Sequence, residues 1–123
     1  MTGFEFLADH ATQALIIAAF IGMALDFISG FANAAMKHEI SSEKMRLGLW
    51  HKISFAGAIL LGIYVQWVMS ISDISLYLGF SVPATSVICI IICAIEVTSI
   101  YENLKKINPD IPQIFKGEGN EKL

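Results

Sequence analysis

The chain has 123 residues, 55% of them hydrophobic and only 15% charged, with a formal net charge of −3 at pH 7. Soluble domains average roughly 45–50% apolar and about 25% charged residues, and a chain this short has too little interior to hide such an excess from water. These proportions exclude a small water-soluble globule and, with no basic patch, a nucleic-acid binder; they point to an all-α integral membrane protein.

Residues 1–9 carry Glu5 and Asp9 but no Lys or Arg. It therefore lacks the basic start of a cleaved signal peptide, and the first apolar stretch is expected to remain in the mature protein. Residues 11–36 form the first expected span, interrupted by Asp26, Ser29 and Asn33 and longer than the roughly 20 residues that cross about 30 Å of hydrocarbon. A polar hairpin follows, in which Ser41 or Ser42 is a natural N-cap and Glu43 suits the positive end of a helix. From there to Ile71 is about 30 residues, near 45 Å at 1.5 Å per residue, so this helix is expected to begin outside the bilayer and to cross it over residues 53–71. Trp50 and Trp67 fall near its two interfaces, where aromatic belts form.

Ser72 to Ser81 reads as an outer turn, and Pro83 suits the first turn of a third helix spanning residues 80–100. The β-branched run Val87 to Ile92 does not make a strand here, because an open strand edge is not tolerated in lipid. Asn108, Pro109 and Pro112 end the last helix, since proline lacks an amide donor and restricts its predecessor. The organisation expected is one transmembrane unit over residues 1–116 and a charged, glycine-containing, disordered tail over 117–123.

The 8 basic residues fall in two groups: Lys37, Lys44, Arg46 and Lys52 in the hairpin, and Lys105, Lys106, Lys116 and Lys122 after the third span. The excess of positive charge places both groups in the cytoplasm, with the amino terminus and the loop around Asp73 outside. Three spans connect an outer start to an inner end.

Polar residues interrupt each span on one side. Gly22, Asp26, Ser29, Gly30 and Asn33 recur at three- and four-residue intervals and share a face of the first helix. Thr85, Cys89, Cys93 and Glu96, continuing to Ser99 or Asn103, do the same on the third, and Gly48, Lys52, Gly62 and Gln66 lie on the second. Small residues on such faces suit either close helix packing or, in an oligomer, a hydrated seam. Asp26 and Lys52 lie equally far from the hairpin centre near Glu39, hence at equal depth. An unpaired charge at that depth costs several kcal/mol, so Asp26 is expected to pair with Lys52, with Glu96 close enough to share the site; the competing reading has Lys52 snorkelling to the headgroups.

Nothing in the sequence calls for a cofactor. Cys89 and Cys93 lie one helical turn apart with no His on their face, so metal binding and a disulfide both give way to packing. His10, His38 and His51 show no ligand spacing, and neither a glycine-rich phosphate loop nor a nucleophile elbow is present. An enzyme is not expected.

Two blocks then resemble a known family. Asp26, Gly30, Ala34, Lys37, Ile40, Ser41 or Ser42, Gly48 and Lys52 resemble the hairpin pattern of the phage-lysis and toxin-secretion holins. Glu96, Ser99, Ile100, Glu102, Asn103, Leu104 and Pro112 look like that family's second block. The resemblance implies a homo-oligomer in the lipid bilayer of the host's cytoplasmic membrane that forms lesions at a set time, so that endolysin, a functional partner whose direct contact is not required, reaches the peptidoglycan. It also implies loss of membrane potential as a trigger, with Asp26, Lys52 and Glu96 as candidate sensors. Many holin genes encode a longer inhibitor from a second start, whereas the methionine after Met1 here is Met23, inside the first span; timing control falls to a separate antiholin or to assembly kinetics. Two other readings share these features: an exporter of a toxin or hydrolase, and a small structural subunit of a membrane complex.

Overall fold

The computed structural model describes residues 2–113. The tail expected at 117–123, and the end of the unit expected at 1–116, lie outside the described residues. Four α-helices follow a short 3-10 turn at Glu5–Ala8: α1 His10–Met36, α2 Ser42–Ile71, α3 Ile74–Leu78 and α4 Ala84–Ile107. Among the described residues there is no strand, and α1, α2 and α4 are each long and apolar enough to cross a membrane.

Local chemistry sets the ends of these helices. Asp9 caps α1 by accepting from the Thr12 backbone N–H and hydroxyl, each at 3.0 Å. At the other end His38 takes a left-handed conformation (φ 57°). The N–H groups of His38 and Glu39 there donate to the carbonyls of Ala35 and Ala34 at 3.2 and 2.8 Å, a Schellman closure with His where Gly is usual. Ser41 then caps α2 through the Lys44 N–H at 3.3 Å. Beyond α4, Asn108 is extended, and the chain folds back as the Tyr101 hydroxyl donates to the Pro112 carbonyl at 2.7 Å.

The structure departs from expectation at the outer end. Where a plain turn was expected, Asp73 and Gly79, both left-handed, bracket the single helical stretch of α3. The third spanning helix starts at Ala84 rather than near residue 80, with Pro83 at the N-cap and not in the first turn. Proline offers no side-chain acceptor there, and the α2 residue Gln66 supplies one instead, its Oε1 accepting from the Thr85 N–H at 3.0 Å.

Helix α4 packs along α1 and also against α2, whereas α1 and α2 touch each other least. Gly22 and Gly30 of α1 face Glu96 and Asn103 of α4, so those two helices run parallel and α2 runs against them. The small buried core consists of Ala19, Met23, Ile59, Cys89 and Ile92. Large apolar side chains such as Ile28, Leu60 and Val97 point outward, as they must when the surroundings are lipid. Close approach depends on Gly62, where a Cβ would meet Ile88 Cδ1 at 2.9 Å and the Thr85 Cα at 3.2 Å.

At the amino terminus Glu5 Oε2 accepts from Thr2 N, Thr2 Oγ1 and Gly3 N at 3.0, 2.9 and 3.2 Å. The turn so closed is tied to α2, because the Trp67 indole N–H donates to the Thr2 carbonyl at 3.0 Å and the Phe4 ring stacks on Trp67 with centroids 5.3 Å apart.

Gly62→Ala is expected to lower the unfolding midpoint in detergent, at a cost of about 1–3 kcal/mol for overpacking. Gly57→Ala, where a Cβ meets nothing within 4 Å, should not lower it, since alanine favours a helix interior over glycine; circular dichroism against denaturing detergent reads both. A second prediction concerns pH. Hydrogen bonds from the Thr2 and Thr12 backbones hold the Glu5 and Asp9 carboxyls below their ordinary values of 4.5 and 3.8. Stability from a depressed carboxyl is present above its ordinary value and lost as pH falls through the folded one. Acidification below about pH 4 should therefore release the amino-terminal turn first, read as a Trp67 emission shift in a Trp50→Phe background that Glu5→Gln shows already at neutral pH.

Candidate functional site

Three of the described helices each send one ionisable side chain into the same seam. Asp26 sits midway along the stripe on α1, Lys52 ten residues into α2 and Glu96 at the middle of α4. The Lys52 Nζ donates to Asp26 Oδ2 and, at 2.7 Å, to Glu96 Oε2. The Lys52 and Asp26 side chains are each 13% exposed and that of Glu96 only 1%. In surroundings that cannot solvate charge, carboxylate and ammonium stabilise one another only if both are present and held by hydrogen bonds.

The surrounding residues let this happen. Gly22, one turn before Asp26, leaves room for α4: a Cβ there would stand 3.3 Å from the Glu96 Cβ. Asn103 reaches back from α4, its Nδ2 donating to Asp26 Oδ1 at 3.1 Å and to Ser29 Oγ at 3.0 Å, while the Ser29 hydroxyl donates to the Asp26 carbonyl at 3.1 Å. Gly30 lies beneath that amide, 3.5 Å from it by the same measure. The Lys52 ammonium also stands 5.9 Å from the Phe55 ring centroid, within cation–π range.

Other polar positions are placed differently. Cys89 is buried and Cys93 half-buried, both as free thiols at the core. Thr85 is fully buried with its Oγ1 unpartnered, as is the Oδ1 of Asn33. Gly62 is a tight helix crossing and Gln66 a cap, both away from the charges. Gly48 faces open space: no atom lies within 4 Å of a Cβ built there. No group of three or more His, Cys, Asp or Glu that could hold a metal occurs among the described residues.

Sequence reasoning did not find Asn103 as a partner of Asp26, Gln66 as a cap or Trp67 as the mooring of the amino terminus. Asn103 had a signal, since it continues the α4 stripe seven residues, two helical turns, beyond Glu96. The other two depend on how far one helix slides along another, which no single-helix pattern encodes.

A family model described as a bacteriophage holin family matches residues 8–118. No curated protein matches the chain, and neither does any solved structure.

Lys52→Met is expected to cost about 3–5 kcal/mol, because it leaves two buried carboxylates without their cation. Neutralising all three positions (Asp26→Asn, Lys52→Met, Glu96→Gln) should recover most of that loss. Unfolding of the three single variants and the triple variant in one detergent checks both outcomes.

Proposed function

We propose, from the premise that this chain belongs to the bacteriophage holin family, that it accumulates as homo-oligomers in the host's inner membrane and opens lesions that admit endolysin to the peptidoglycan, causing timed lysis. As a member of that family with three membrane-capable helices, it is a multi-pass protein of that membrane. We read it as non-enzymatic: the residues act by pairing, packing and lining, not by bond chemistry.

The observation that carries the reading is the inside-out distribution of polarity. The one ionic cluster among the described residues lies in the seam of α1, α2 and α4, while the outward faces carry residues such as Ile28 and Leu60. Within one chain the Lys52 ammonium bridges both carboxylates. Among many copies the same faces, turned toward one another, can border water, which solvates Asp26, Lys52 and Glu96 more cheaply than lipid does. Orientation follows from charge: α1 ends, α2 begins and α4 ends at the side bearing Lys37, Lys44, Lys105 and Lys106, which faces the cytoplasm. Glu5, Asp9 and Asp73 lie at the opposite, outer side. Charges held in the field feel about 2.3 kcal/mol per elementary charge per 100 mV if carried fully across, which makes the cluster a candidate element of triggering by loss of membrane potential. A separate antiholin is the candidate partner for timing.

Induced expression with an endolysin lacking its own export signal tests this. The expected result is abrupt growth arrest with endolysin activity released, and neither arrest nor release for Asp26→Asn or Glu96→Gln at equal membrane abundance. Harmless accumulation at high copy number would sink the holin reading, and release of a hydrolase without lysis would favour an exporter.

A further inference from the structure

A cleft of about 680 Å³ opens at the basic end of the bundle, between the end of α1, the start of α2 and the end of α4. Lys37 just after α1, Lys44 at the start of α2 and Lys106 at the end of α4 line it, as do Glu39 and the Lys52-paired Asp26. Among the described residues the only ion pairs are the two made by Lys52, so none of these three ammonium groups is paired with Glu39 or Asp26. Lys37 and Lys106 also complement the negative ends of α1 and α4, a role that requires no cavity.

A second groove, of about 390 Å³ and almost wholly apolar, continues from this cleft between α1 and α2. Phe27 and Lys52 border both spaces, and from there the groove runs past Ala24 and Phe20 on one side and Ile53 and Ala56 on the other. It exists because α1 and α2 make little contact. From Phe27 to Phe20 it extends about 10 Å toward the middle of the membrane. A helix of about 10 Å diameter and that length occupies roughly 800 Å³, twice the space present; a single hydrocarbon chain is the narrower occupant.

We infer that the cleft binds the phosphate of an anionic phospholipid between Lys37, Lys44 and Lys106, with one acyl chain of that lipid lying in the groove between α1 and α2. Charge and position agree: ammonium groups attract a phosphate at the level where headgroups lie, and apolar walls begin where the hydrocarbon does. Each Lys near an anionic headgroup is worth about a fivefold gain in binding. The site needs only that the chain sit in a bilayer, so it stands or falls independently of lesion formation.

Native mass spectrometry of the full chain, released from micelles doped with phosphatidylglycerol, phosphatidylcholine or soluble glycerol 3-phosphate, tests the assignment. Phosphatidylglycerol is expected to bind at least about tenfold more tightly than phosphatidylcholine. The triple variant Lys37→Gln, Lys44→Gln, Lys106→Gln should erase that preference, and the corresponding triple Arg variant should keep it, which separates lost charge from lost folding. Ala56→Phe, which fills the groove, should weaken lipid binding. Equal binding of both lipids, a preference unchanged in the Gln variant, or glycerol 3-phosphate competing as well as the lipid would each overturn the inference. So would an Ala56→Phe variant that binds lipid normally but changes oligomer size, which would give the groove to a second copy of the chain.

Discussion

One ammonium group, that of Lys52, is shared by carboxylates from two other helices, and the rest of the bundle is arranged around that sharing. A hydrocarbon medium offers buried charge no solvation, so the three groups are tolerable only together. Withdrawing α2 strands two carboxylates; withdrawing α1 or α4 leaves Lys52 with one carboxylate and one fewer hydrogen-bond acceptor. The small residues on α1 serve this arrangement, since Gly22 and Gly30 are where α4 comes close enough for Glu96 and Asn103 to reach Asp26 and its neighbours. Asn103 occupies the second oxygen of Asp26, so that carboxylate is bonded on both sides.

Away from the charges the bundle is held by fit. Lipid tails are as apolar as the side chains they would replace, so burying Ile59 or Ile92 gains little from exclusion of water, and contact between closely approaching backbones has to do the work. The core is accordingly slight: Ala19 and Cys89 are fully buried in it, and Gly62 brings α2 against Thr85 and Ile88 of α4. The free thiols of Cys89 and Cys93 belong to this packing as small, polarisable side chains.

Much of this could be read from residue order. Span lengths follow from apolar runs, and the start of α2 follows from Ser41 because a side-chain acceptor at that spot satisfies amides the helix cannot. Equal distances from the hairpin centre place Asp26 and Lys52 at one depth, and the structure puts their charges in contact. Less legible was which helices embrace. A hairpin invites the assumption that α1 and α2 pack on each other, yet α1 packs mainly on α4, which comes close at Gly22 and Gly30. The late start of α4 was hidden for a related reason: its cap belongs to Gln66, nineteen residues earlier on another helix. The amino-terminal turn was hidden because its anchor, Trp67, is sixty-five residues away from Thr2.

The thin contact between α1 and α2 has a consequence for assembly. The short hairpin of residues 37–41 joins them at one end, while their hold on each other elsewhere runs largely through α4 and Lys52. An ion pair made within one chain and the same pair made between two chains have the same partners, so trading one for the other leaves the pair energy unchanged. Such a like-for-like exchange is governed by copy density and by entropy rather than by bond strength. Were two copies to exchange partners in this way, the balance between private and shared clusters would follow copy density through mass action, with no change in the bonds made.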